Sequence, residues 1–260
     1  MPSGSTNSRP VQDVVGLPTI VQVLLLTSSE AAASDGATLW TVLEEVEQLY
    51  NHGRQRAVFD RRLLAAQVPP GLAEGELRDR YVHLSEQGLP LLFDHAGGVY
   101  SGTLHAEPLA ELIRRRLAVP DRRSVFVLTE REIAPPEDWA YIMWWETPTG
   151  MVTSTAALDP DYWGIQESDR LKVIKHRARA ACMAATGIML GLERCNNPSC
   201  YLFVEVDSVT RLDLMVAIGP EHEEITGREA VGYWKEIEDP EVVEETAQRE
   251  DLEVGGWPLL

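Results

Sequence analysis

The chain is short of positive charge: 23 Lys and Arg stand against 41 Asp and Glu, a formal net charge of −18 over 260 residues. A phosphate backbone is gripped by lysine and arginine in excess, so this balance argues against a nucleic-acid partner and, equally, against an anionic membrane surface. Cysteine is scarce. Cys182, Cys195 and Cys200 are too few for a disulfide framework. Long apolar runs are missing too: the longest, residues 19–26, is far too short to span a bilayer. Residues 1–16 are rich in Ser and Pro and lack the apolar segment of a secretion signal. These shortages predict a cytoplasmic protein with neither a nucleic-acid nor a membrane partner.

What the chain does contain is an ordinary globular composition, 44% hydrophobic and 25% charged, enough to bury one sizeable core. Residues 1–17 read as a flexible leader and residues 236–260 as an acidic tail, with the folded domain over 18–235. Between Glu221 and Glu253 there are thirteen acidic residues and three basic ones, Arg228, Lys235 and Arg249, the pattern of a solvated or mobile segment. Residues 19–26 (TIVQVLLL) predict a buried strand. Leu39, Val42, Leu43, Val46 and Leu49 recur at helical spacing over 38–51, with Gly53 as a stop. Residues 89–93 suggest a strand and 108–117 an amphipathic helix. Residues 124–129 (SVFVLT) form another strand, and 139–146 with 151–155 form a hairpin about Pro148-Thr149-Gly150. Residues 170–192 are helical in composition, with five alanines, no proline, and Gly191 as a stop. The order predicts an α/β (α+β) single domain: one mixed, twisted sheet with an aromatic edge strand and packed helices.

The informative stretch is 184–200, AATGIMLGLERCNNPSC. Cys195 and Cys200, spaced Cys-x4-Cys, supply half of the tetrahedral shell that zinc takes. This segment resembles the archaemetzincin family, metzincin-type zinc peptidases with the motif HExxHxxGxxHCx4CxM and a CxxC further on. Gly191, Leu192, Cys195 and Cys200 carry the resemblance, and Ser208 through Asp213 resembles the family's serine-to-aspartate segment. The resemblance implies a zincin-like fold over roughly 18–223.

It also implies a degenerate member. With Gly191 as anchor, the zinc histidines fall on Ala184, Ile188 and Arg194, and the catalytic glutamate falls on Ala185. The methionine falls on Leu202, and the CxxC cysteines on Pro220 and Glu223. Alanine and isoleucine offer no lone pair, and arginine carries a permanent charge, so zinc peptidase activity is not expected. Cys195, Cys200 and His222 can still gather a structural metal. Cysteines near a helix end are more often buried small hydrophobes, and the expectation is a chain without cofactor or metal.

A metzincin-like cleft holds an extended peptide along its edge strand by main-chain pairing, which needs no metal. The edge strand falls on residues 139–146. Trp139, Tyr141, Met143 and Trp145 lie on one face, and Ala140, Ile142, Trp144 and Glu146 on the other. Aromatic strands are more often core, but two core faces do not fit an edge strand with one open side. Lys172, Lys175 and Arg179 share a helical face, a stripe suited either to an acidic ligand or to pairing with the acidic tail. Arg194 either reaches into the cleft for a ligand carboxylate or pairs with an internal acid such as Asp213. The small residues Ala180, Ala181, Ala184, Ala185 and Gly187 leave room beside the helix for a side chain or ligand.

The function expected is therefore non-catalytic peptide binding, with Tyr141, Met143, Trp144, Trp145, Lys175, Arg179 and Arg194 as peptide-binding residues and no catalytic or metal residues. The partners would be a precursor peptide and a tailoring enzyme in ribosomal-peptide natural-product biosynthesis; an exposed edge also permits a homodimer. Two alternatives stand beside it. One is a metal-independent enzyme using His176, Glu193, Arg194 and Tyr201, although His176 between Lys175 and Arg177 reads as a solvated-face residue. The other is a structural subunit with a closed cleft. Cys182, in an alanine-rich helix, reads as inert.

Overall fold

The computed structural model describes residues 20–27, 36–51, 59–67, 80–85, 88–93, 99–121, 123–134, 143–204, 206, 208–219 and 222. The leader, the acidic tail and residues 139–142, with Tyr141 among them, lie outside the described residues.

The first strand, β1 (Ile20–Leu26), is apolar at all but one position because both of its faces are covered, as parallel strands in the middle of a sheet require. It pairs in parallel with β2 (Phe59–Ala65) on one side and β6 (Val125–Thr129) on the other. β3 (Tyr81–His83) continues the sheet beyond β2, and β9 (Gly150–Ser154) continues it beyond β6. β8 (Trp144–Thr147) closes it as an antiparallel partner of β9, giving the order β3-β2-β1-β6-β9-β8. β4 (Leu91–Phe93), β5 (Val99–His105) and β7 (Ile133–Ala134) form a separate three-stranded sheet. A single sheet was expected; there are two, and β2, β3 and β5 carry too little alternation to be read from sequence.

Helices α1 (Gly36–Asn51) and α3 (Arg170–Met189) bury one face of the main sheet, meeting Ile20, Leu24, Phe126 and Met151. Helix α2 (Ala106–Arg116) covers the other, where Leu109, Ala110 and Ile113 meet Val21, Val23, Val127 and Val152. Two 3-10 turns, Ala156–Leu158 and Pro160–Trp163, lead from β9 to α3, and a short α4 (Val209–Asp213) packs on α3. Among the described residues no helix is long and apolar enough to cross a membrane.

Candidate functional site

Helix α3 is the floor of the candidate site. It begins at Asp169, whose carboxylate accepts the Lys172 N–H, and ends in a glycine turn. There Gly191, at φ +74°, lets its own N–H reach the Ile188 carbonyl while the Leu192 N–H reaches that of Gly187. This pair of bonds satisfies carbonyls that a helix end otherwise leaves open. Ala184 and Ala185 are buried, Ile188 is partly buried, and Arg194 is exposed, its guanidinium donating to the Val204 carbonyl at 3.1 Å. The room expected beside the small residues is filled at Gly187. The Tyr50 hydroxyl, which donates to the Met183 carbonyl at 2.8 Å, would stand 2.9 Å from a Cβ there, and the Leu202 side chain would collide with it. Small residues here admit α1 and Leu202 rather than a ligand.

The basic stripe is engaged. Lys175 and Arg179 both meet Glu45 of α1, at 2.8 and 2.7 Å, so a neighbouring helix engages both. Asp213, the acid considered for Arg194, is held by Arg177 through two bonds of 2.7 and 2.8 Å, and Arg177 also donates to the Leu158 carbonyl. His176 is not on a solvated face: its Nε2 is buried without a hydrogen-bond partner among the described residues. Burial is the main cause of its lowered pKa; Asp213 opposes the shift and Arg179 adds to it. A neutral His176 in the fold means that the unfolded chain takes up the proton first. Its contribution is present above about pH 6.5 and is lost as pH falls through that value, by at most about 1.4 kcal/mol per pH unit. Urea unfolding at several pH values should therefore show the native chain losing stability relative to His176→Gln between pH 7.5 and 5.5. A pH-independent gap between the two would contradict this environment for the ring.

Of the other residues considered for metal-independent chemistry, Glu193 is exposed and Tyr201 is buried in the core, while Cys182 is buried with its thiol pushed up by desolvation. Sequence reasoning missed Glu45, Tyr50 and Arg177. Only a cation four residues from another cation, on a helix that must pack, hinted that an acid from elsewhere would meet them.

After α3 the chain folds back on itself. Cys195 exchanges backbone bonds with Leu202 and Val204 at 2.9 Å each, and the Cys200 N–H bonds the Asn197 carbonyl at 3.0 Å. Cys200 bridges to Ala217, drawing in the segment that ends at His222, whose N–H donates to the Gly219 carbonyl. The ligand atoms of Cys195, Cys200 and His222 lie within 4.8 Å of one another. The N–H groups of Leu202 and Gly219 donate to the Cys200 sulfur at 3.3 and 3.2 Å. Cys200 and His222 are buried, and Cys195 is partly exposed. This donor set fits a metal ion. Sequence had treated the three as an alternative to a metal-free chain, and the fold brings them together.

β8 is the last strand of the main sheet, and among the described residues no strand pairs with its outer edge. The Ser154 N–H donates to the Met143 carbonyl, so antiparallel alternation turns the N–H and C=O of Trp144 and Glu146 away from β9. Trp144, with Met143, packs against the core under α1 and α3; Trp145 packs against the core under α2. The objection that both faces of an edge strand cannot be core is thus corrected: helices cover the sheet on both sides. Both indoles stay partly exposed, and Glu146 is exposed.

Two solved structures resemble this arrangement. One is a zinc-dependent peptidase from Methanocorpusculum labreanum, with a TM-score of 0.48 and 15% identity over 79% of this chain and 100% of that one. The other is archaemetzincin from Methanopyrus kandleri, with a TM-score of 0.44 and 13% identity over 85% of this chain and 97% of that one. No family model and no curated protein matches the chain.

Proposed function

We propose that the chain is a non-catalytic peptide-binding protein that takes an extended peptide along the outer edge of β8. The observation that supports this best is the outward ladder of Trp144 and Glu146, unpaired among the described residues and flanked by two indoles fixed from opposite sides. Strand addition draws affinity from such main-chain groups and specificity from neighbouring side chains. Ala184, Ala185 and Ile188, where the archaemetzincin-like pattern calls for metal ligands and a general base, present only hydrocarbon and cannot activate water. Met143, Trp144, Trp145 and Arg194 remain the described residues assigned to the peptide. Lys175 and Arg179, tied to Glu45, act through α1 packing instead. A precursor peptide awaiting modification by a separate tailoring enzyme is the partner proposed.

Isothermal titration with peptides encoded beside the gene tests the reading. Binding at micromolar or tighter Kd is expected for one of them, and no heat with any of them would count against it. Glu146→Pro removes an outward N–H without touching the bonds to β9 and should weaken binding about tenfold or more, whereas Glu146→Ala should not. Equal affinity of the proline variant would move the peptide away from this edge.

A further inference from the structure

Cys195, Cys200 and His222 have no part in the peptide reading. We propose that they bind one zinc ion as a Cys2His site, in which His222 is the donor this chain supplies from beyond α4. The resemblance noted above would place two thiolates at positions 220 and 223, which are proline and glutamate here. A single imidazole between them gives a shell of two sulfurs and one nitrogen.

The geometry is close to what such a shell needs. Zinc holds thiolate sulfur at about 2.3 Å and imidazole nitrogen at about 2.0–2.1 Å, which in a tetrahedron sets the donors roughly 3.5–3.8 Å apart. The three ligand atoms are already within 4.8 Å of one another, so a small contraction closes them on one ion. Two thiolates and a neutral imidazole around a dication leave no net charge, and this matters because Cys200 and His222 are buried. The softness of the two sulfurs selects zinc over calcium or magnesium, which take oxygen donors. The N–H groups of Leu202 and Gly219 orient the Cys200 sulfur from the second shell. Cys182 takes no part: it is buried in α3 and its thiol stays protonated. An ion at this point ties the segment ending at His222 to the loop that carries Arg194, and so fastens the chain leaving α4 to the end of α3.

The test uses the full chain, purified, reduced and dialysed after incubation with Zn(II). One zinc per chain is expected. X-ray absorption should show two sulfurs at about 2.3 Å together with nitrogen or oxygen donors at about 2.0–2.1 Å, including the multiple-scattering signature of one imidazole. Cys195 and Cys200 should resist a thiol reagent until a chelator is added, with Cys182 silent throughout in the folded chain. His222→Ala should lower zinc affinity about tenfold or more, and His222→Cys should retain the ion with a third sulfur in its shell. If His222→Ala does not fold, the native spectrum decides. Substoichiometric zinc, a shell without two sulfurs, a shell without imidazole, or a Cys195–Cys200 disulfide in the reduced protein would each overturn the proposal. None of these results depends on peptide binding, so the two readings fail separately.

Discussion

Asp213→Ala is expected to destabilise the fold by about 3–5 kcal/mol, because it leaves the Arg177 guanidinium buried without its counter-charge. The Arg177 side chain is only 5% exposed, and both of its bonds to Asp213 are short. Its third bond, to the Leu158 carbonyl, ties α3 to the turn after β9, so the pair links three segments at once. Urea unfolding of Asp213→Ala, Arg177→Met and the double variant measures the effect. The double variant should be more stable than the sum of the two single losses implies, since removing both charges abolishes the desolvation penalty as well as the attraction. A loss below about 1 kcal/mol for Asp213→Ala would mean that water reaches the guanidinium, in the range of exposed ion pairs.

Gly150→Ala should cost on the order of 4 kcal/mol, in the range reserved for steric conflict with main chain. Gly150 closes the β8–β9 turn directly opposite Val125 of β6, so that a Cβ would collide with the Val125 carbonyl oxygen and sit 2.8 Å from its nitrogen. Backbone of the central sheet cannot move aside as a side chain could. Gly164→Ala provides the comparison: Gly164 has a left-handed φ of +70° but nothing within 4 Å of the added carbon, so its cost should stay near the ~1–2 kcal/mol of backbone strain. Thermal unfolding of both variants, with hydrogen exchange across β8 and β9, reads the difference. Equal losses at the two glycines would show that the strand approach is looser than the structure has it.

Several elements were legible because one physical pattern dominated each. β1 is nearly all apolar, α1 shows five apolar residues at helical spacing, and α3 joins an alanine-rich, proline-free run to a glycine stop. β2 was hidden by its charges. Arg61 lies mid-strand over the Trp40 ring and bonds Glu44 and Glu47 of α1, so a residue that looks solvated belongs to the packed layer. The cysteine pair was legible from its spacing, and His222 from its place near the absent CxxC. Their convergence depends on the Cys200–Ala217 bridge, which local pattern does not encode. The basic stripe on α3 was legible as a stripe but not as an engaged one, because Glu45 lies 134 residues from Arg179. The aromatic strand was placed at the margin of the sheet, where β8 is found, while the helix layers that receive Trp144 and Trp145 depend on the order of all six strands.

The brevity of β8 bears on how long any guest could stay. Four residues at about 3.4 Å each give a rail of roughly 14 Å, with only alternate residues facing outward. If the proposed peptide docks there, a clasp of that length would release it readily, with dwell time governed by the two indole rings beside it. On the proposed reading, quick release would let one short edge serve a succession of peptides.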